Sequence, residues 1–360
     1  MKFAVILSAV IVSLNTPVAA QWANLPTPGI PRTANSKPDF SAPAPRTADS
    51  KPDLSGLWEK ISKYGTDISV DLKTADIQPW AVELVQKRME DLGKDHMIPR
   101  CLPLGPGYVT DSGTTAAGMT KIIQTPTLIL FLSQDLTYRQ IYMDGRALDA
   151  DPNPSWMGYS VGHWEGDTLV VESNGYNDRT WLDRNGHPHS SALRTTERYR
   201  RKDFGHLEFS MTLTDPAVYA KPWTVSMEAK LAADTELIEY VCLEAAQRAL
   251  DHWAGKASDD QKAAVAVPPE ILAKYAGTYK GLDLWNNETE PRLIDVSVED
   301  GVLYAQLKGQ TKVRLIPQSQ TMFRGFYGLG ARFVLDAKGE VEFLNEMRVS
   351  GDYRFTRVAK

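Results

Sequence analysis

The sequence predicts a mainly β protein in two units, an antiparallel barrel or sandwich with a short N-terminal helix and a smaller β unit behind it. Three observations predict this. From Lys121 onward apolar residues recur at every second position, the period of a half-buried strand. The candidate strands are short and evenly spaced, as in barrels and sandwiches. A charged, Ala-rich stretch from about Gly255 to Pro269, ending in Pro268-Pro269, reads as a linker with the boundary near residue 262.

Taken in order, the chain opens with an export signal. Lys2 supplies one charge, and Phe3 to Leu14 is apolar apart from Ser8 and Ser13. Pro17 breaks any helix, and Val18-Ala19-Ala20 presents small residues for cleavage. The apolar run is too short for a permanent membrane anchor, and no second stretch approaches that length. Residues 1–20 are expected to leave as a signal peptide, with Gln21 starting a periplasmic or secreted chain. A buried N-terminal helix is the competing reading.

A duplication begins in residues 21–52: Pro31 to Phe40 reads PRTANSKPDF, and Pro45 to Leu54 reads PRTADSKPDL, fourteen residues later. Two copies are too few for a solenoid. The segment is also too polar to offset its ordering entropy, so a disordered, extended tether is expected.

The barrel domain is placed at 53–254, opening on Asp53-Leu54-Ser55-Gly56-Leu57-Trp58. Pro79 to Leu92 reads as a helix: Pro79 suits a first turn, and Ala81, Leu84, Val85, Arg88 and Met89 form a 3.6-residue stripe that Gly93 ends. Strands are expected at Lys121–Thr125, Thr127–Ser133, Thr137–Met143, Gly158–Trp164, Thr168–Ser173, Leu193–Arg200, Leu207–Leu213, Trp223–Leu231 and Leu237–Leu243, with a turn at Glu165-Gly166-Asp167. Residues 255–269 are the linker. Residues 270–360 form the accessory unit, with a helical turn at Ile271–Tyr275 and strands punctuated by Gly301, Gly309 and Gly339.

The net charge of −5, from 40 basic and 45 acidic residues, argues against a nucleic-acid partner, because no basic excess exists to displace counterions from phosphates. The local cluster Arg198, Arg200, Arg201 and Lys202 reads as a solvated strand end. Cys101 and Cys242 are the two cysteines. In an oxidising compartment their pairing is expected, with two buried thiols as the alternative, and neither has a zinc-finger neighbour.

Two resemblances add to this. The tail, through Leu272-Ala273-Lys274-Tyr275-Ala276-Gly277-Thr278-Tyr279, Asp300-Gly301-Val302-Leu303-Tyr304, Leu315-Ile316-Pro317, Phe323 and Phe333-Val334-Leu335-Asp336, resembles the small lipocalin-like module appended to β-lactamase-like serine hydrolases. The body resembles a large group of exported bacterial proteins of unassigned activity. Lys51-Pro52-Asp53-Leu54-Ser55-Gly56-Leu57-Trp58, Tyr138 to Arg146 and the run Pro154 to Tyr199 carry that likeness, which spans most of residues 51–244. Gly56-Leu57-Trp58 is also similar to the G-x-W that opens lipocalin barrels. Together they imply two lipocalin-like β-barrels, the first with an interior cavity; a fold does not set a function.

The candidate chemistry lies in the middle of the chain. Gly158-Tyr159-Ser160-Val161-Gly162 matches the nucleophile elbow, but that motif needs a strand-to-helix turn, and the following hairpin leaves Ser160 inside a strand. The connection Asn174 to Ala192 carries Asp178, Arg179, Trp181, Asp183, His187 and His189. A connection of this length often bears function. His187-Pro188-His189 could move protons or hold a metal, or be hydrogen-bonded surface histidines. Asp178, Arg179 and Asp183 could orient a polar substrate or fasten the loop. Glu239 shares an alternating face with Leu237, Val241 and Leu243. Glu172 and Glu197 sit in strands near Arg194 and Arg198. His163 shares a face with Tyr159 and Val161, and the aromatics around Trp181 could wall a pocket.

The leading expectation is an exported enzyme doing general acid–base chemistry, of lyase, hydratase or isomerase type, on a small organic molecule in the barrel. His163, His187, His189, Asp178 and Glu239 would handle protons. Arg179, Tyr159, Trp181, Asp183, Glu172 and Glu197 would bind substrate. No cofactor motif is present, so no cofactor and no metal are expected. The alternatives are a non-catalytic periplasmic carrier with the same barrel and a serine hydrolase using Ser160.

Overall fold

A computed structural model describes residues 25–65, 67–91, 93, 95–110, 119–242, 264–281, 291–307, 312–325, 330–348 and 351–358. Residues 1–20, where an export signal is expected, lie outside the described residues. The first unit comprises β1 (Gly56–Ile61), α1 (Pro79–Glu90), β2 (Met119–Gln124), β3 (Leu128–Ser133), β4 (Tyr138–Tyr142), β5 (Tyr159–Glu165), β6 (Thr168–Asn174), β7 (Arg194–Arg201), β8 (His206–Thr214) and β9 (Trp223–Leu231). Strands pair in chain order, and β9 returns to β1, closing a nine-stranded barrel. Every ladder is antiparallel except β4 with β5.

The second unit follows with α2 (Pro269–Tyr275), β10 (Gly277–Gly281), β11 (Arg292–Glu299), β12 (Val302–Leu307), β13 (Val313–Pro317), β14 (Met322–Arg324), β15 (Gly330–Leu335), β16 (Val341–Arg348) and β17 (Gly351–Arg357). β17 pairs with β10 and closes an eight-stranded barrel. Its core is aromatic: Tyr275 stacks on Phe333 at 4.1 Å, and Phe323 meets Phe333 edge-on. The fold is thus mainly β, two lipocalin-like closed barrels with short helices. No helix among the described residues is long and apolar enough to cross a membrane.

Alternation decides the walls of the first barrel. Leu207, Phe209, Met211 and Leu213 on β8 and Trp223, Val225, Met227, Ala229 and Leu231 on β9 are all buried in one core, with polar residues between them facing out. Burying each of the larger apolar chains contributes about 1.5–3 kcal/mol. The hairpin turn at Glu165-Gly166-Asp167 forms as expected, with Gly166 at φ +60°, where an L side chain is strained.

One expected strand does not form. Leu237 to Val241 alternates in sequence but pairs with no strand, and Glu239 is exposed there. Alternation makes a strand only where a neighbouring edge is free, and β9 and β1 have already closed the barrel.

The duplicated segment also differs from the disordered tether expected of it. Each copy closes its own small hairpin, through the bridges Arg32 to Pro38 and Arg46 to Pro52, with Ser36 and Ser50 left-handed at matching positions. In each, the arginine donates to a carbonyl four residues on and then reaches an aspartate of the barrel. Arg32 meets Asp234, and Arg46 grips Asp167 in a two-pronged pair at 3.0 and 2.7 Å. Phe40 lies against Gly205, where a Cβ would stand 2.3 Å from the Phe40 Cβ. Too polar for its own core, the segment borrows the barrel's surface and straps the end where the β5–β6 and β7–β8 turns lie.

The opposite end carries the β6–β7 connection, α1 and the segment 95–110. Cys101 and Cys242 form a disulfide, as expected from their number and context, closing a sequence separation of 141. Such a bond is compatible with an extracellular or periplasmic protein.

Candidate functional site: a buried histidine–aspartate pair

The β6–β7 connection folds back on itself at Asp183. Its Oδ1 accepts the backbone N–H groups of Gly186 (2.9 Å) and His187 (3.0 Å). Its Oδ2 accepts the Ile68 N–H and the Nδ1–H of His187, each at 2.6 Å. Gly186 sits at φ +94°, which lets the chain reverse and present the ring to the carboxylate. Four donors fill the four acceptor positions of the carboxylate.

The pairing assigns the tautomer: a carboxylate only accepts, so Nδ1 carries the proton and Nε2 is left to gain or lose one. Among the described residues Nε2 has no hydrogen-bond partner. Both residues are buried, His187 being 5% exposed. Burial alone would push the imidazole's pKa down. The charge and hydrogen bond of Asp183 outweigh it, with Asp67 adding to them, so the value is raised above 6.5.

Asp67, Asp183 and His187 each place one donor atom within 4.8 Å of the others. That spacing could bracket a cation, but Asp183 has no acceptor position left for one. The residues therefore fit a metal poorly and fit a polarised imidazole well.

Around the pair, Trp181 is buried with the His96 ring edge-on at 4.9 Å, and the Arg88 guanidinium lies 4.4 Å over its face. Arg88 Nη1 donates to the Gly186 carbonyl at 2.5 Å. Gly107 fits only because it lacks a side chain; a Cβ would stand 2.6 Å from the Trp181 carbonyl oxygen. The Cys101–Cys242 disulfide holds this flanking segment.

Of the other residues expected to act, His189 shares the connection but is fully engaged. Thr180 donates to Nε2 at 2.6 Å, and Nδ1–H donates to the Ser190 carbonyl at 3.1 Å. Burial holds it below 6.5, as a neutral structural ring. His163 is a correction: it is exposed on the outer wall, 3.4 Å from Glu165, near the strapped end and away from His187. It shares with Tyr159 and Val161 the outer face of β5, and the inward residue beside them is Ser160.

Glu172, Asp178, Arg179 and Glu239 are likewise exposed rather than gathered round a hollow. Tyr159 is half-buried on the outer side, beside Tyr142 at 5.5 Å. Asp183 and Trp181 do belong to the site.

Glu197 faces inward on the face it shares with Thr195 and Tyr199, and serves the barrel interior. Arg139 clamps it with Nη1 at 2.8 Å and Nη2 at 2.7 Å, while Nε reaches Ser160 at 3.0 Å and Nη2 also reaches Ser173 at 2.8 Å. Tyr199 donates to the same carboxylate, and Tyr176 bonds Thr195 at 2.8 Å. Ser160 is thus a buried acceptor from Arg139 and Ser173, with no histidine among its partners. Phe131, Tyr199 and Phe209 pack beside this network. The expected catalytic hollow is occupied by a satisfied ion pair and an apolar core.

Sequence reading missed three contributors. Arg88 hid in an apolar helical stripe. Asp67 gave no sign beyond its Asp-Ile-Ser turn, in which its carboxylate accepts the Ser69 N–H and hydroxyl. Arg139 lay in a strand with nothing to mark its partner. No protein-family model matches this chain and no curated protein is significantly similar to it, so the functional reading stands on the geometry of His187 and Asp183.

Proposed function

We propose that the protein is an exported enzyme doing general acid–base chemistry on a small polar molecule, with His187 as the proton-transfer residue and Asp183 as the group that orients it. The carrying observation is the 2.6 Å hydrogen bond from His187 Nδ1 to a buried carboxylate saturated by backbone donors. A ring held this way has one tautomer, one orientation and one nitrogen available. Those are the properties an acid–base residue requires. Asp183 stabilises the imidazolium that forms when Nε2 takes a proton, and Asp67 adds negative charge nearby.

Export rests on Lys2, the apolar run to Leu14 and the small residues at Val18-Ala19-Ala20, and the disulfide is in keeping with it. The chemistry sits on the loop end of the first barrel rather than within it. Proton abstraction, as in isomerisation, elimination or hydration, calls for a base of this kind, and the imidazolium formed can return the proton as an acid.

The test is exchange of solvent deuterium into a library of small hydroxy, keto and unsaturated acids, followed by NMR. The wild type should label at least one compound, and His187→Gln should lose about a hundredfold or more. Equal labelling by both proteins, or none by the wild type, would reject the proposal and leave a carrier as the better reading.

A further inference from the structure

The geometry points to Arg88 as the anion-recognition arm of this site, so that the molecule acted on carries a carboxylate or phosphate group. This deepens the acid–base reading and rests on it. Arg88 stands on the last turn of α1, its guanidinium lying 4.4 Å over the buried Trp181 ring. One nitrogen, Nη1, is hooked to the carbonyl of Gly186, the residue before His187. The guanidinium is therefore fixed in plane and in position next to the proton-transfer residue.

Its charge has no direct ion-pair partner among the described residues. Asp183 is filled by four N–H donors, and Asp95 pairs with Arg100 at 2.9 Å. Nε and Nη2 likewise meet no acceptor among the described residues. A half-buried arginine with an open fork is a costly feature for a fold to keep without a ligand, since burial already pushes its pKa down to about 10. A planar fork matches a carboxylate or phosphate through two parallel hydrogen bonds.

Gly186 makes the arrangement possible. At φ +94°, a Cβ there would stand 2.7 Å from Arg88 Cδ and 3.3 Å from the Trp181 ring. The same glycine thus admits the guanidinium and turns the chain so that His187 meets Asp183. Arg179, the arginine that the sequence placed among the substrate-binding residues, is exposed on the loop surface.

The test titrates the mature full chain with inorganic phosphate and with malonate by calorimetry, with chloride as control. One of the two should saturate the wild type. Arg88→Gln should weaken it about 10- to 100-fold, the loss of a charge-assisted two-pronged contact. Arg88→Lys, which keeps the charge but not the fork, should also weaken it, and decides the matter should the glutamine variant fail to fold. Arg179→Gln should bind as the wild type does. Neither anion saturating the wild type, or full affinity in the folded Arg88 variants, would overturn the assignment. His187→Gln separates the two readings: it should retain anion binding while losing deuterium exchange. Anion binding that depends on Arg88, alongside exchange indifferent to His187, would sink the acid–base reading alone.

Discussion

The His187 Nδ1 lies 2.6 Å from the Asp183 Oδ2, and that same oxygen receives the Ile68 backbone N–H at 2.6 Å. One carboxylate thus both sets the histidine's tautomer and ties the β6–β7 connection to the segment that follows β1.

Replacing Asp183 by asparagine should therefore cost stability as well as function. An amide offers one acceptor oxygen and turns two N–H donors toward backbone N–H groups. Leaving such groups unpaired costs about 1–3 kcal/mol each. Urea unfolding monitored by circular dichroism should give a midpoint well below that of the wild type. A midpoint equal to the wild type's would mean that the carboxylate does not bind these donors in solution.

The pair should also leave a pH signature. The folded-state value of His187 is raised above 6.5, because Asp183 outweighs the effect of burial. Its stabilisation is then complete below the unfolded value and is lost as the pH climbs through the raised one. The stability difference between wild type and His187→Gln should shrink on going from acid to mildly alkaline solution. A difference that widened with pH would reverse the sign and remove the ion-pair account.

Arg139 and Glu197 are 3% and 0% exposed, joined by two hydrogen bonds inside the barrel. Removing one partner strands a buried charge, so Arg139→Met or Glu197→Leu alone should cost about 3–5 kcal/mol. The double variant should recover much of that loss. Chemical denaturation of the three proteins checks it, and additive losses would argue against a direct pair.

Reduction of the Cys101–Cys242 bond should lower stability by roughly 3–5 kcal/mol in the chain-entropy model, given the long loop it closes. The segment around Tyr108 should be the first to gain hydrogen exchange, because it packs on Trp181 under that bond. Unchanged exchange there after reduction would show that packing alone holds it.

The N-terminal strap should resist proteolysis between residues 25 and 52 until its seat is disturbed. Gly205→Val would drive a side chain into Phe40. Limited digestion should then cut the strap quickly while leaving the barrel intact. Equal cleavage rates would mean that Phe40 does not anchor it.

The fold was largely legible because alternation is local. Leu207 to Leu213 and Trp223 to Leu231 each announce one buried face, and Glu165-Gly166-Asp167 announces its turn. The same pattern also placed Glu197 with Thr195 and Tyr199 on one face. Alternation tells which residues share a face, however, and not which face is inside or whether a partner edge remains. That is why His163 was expected inward and is exposed, and why Leu237 to Leu243 was expected to pair.

The disordered tether failed for a related reason. Composition correctly says that residues 21–52 cannot make a core, but it cannot say that Asp167, Asp234 and Gly205 offer docking points far along the chain.

The sequence by itself determined two β units, the cysteine pair and the connection that bears His187 and Asp183. Only the tertiary structure decided that His187 faces Asp183 while His189 is engaged elsewhere, that Glu197 belongs to Arg139, and that Arg88 leaves its helical stripe to lie on Trp181. Periodicity is written in neighbouring residues. Pairing between side chains far apart along the chain exists only once the barrel has closed and its end loops have packed together.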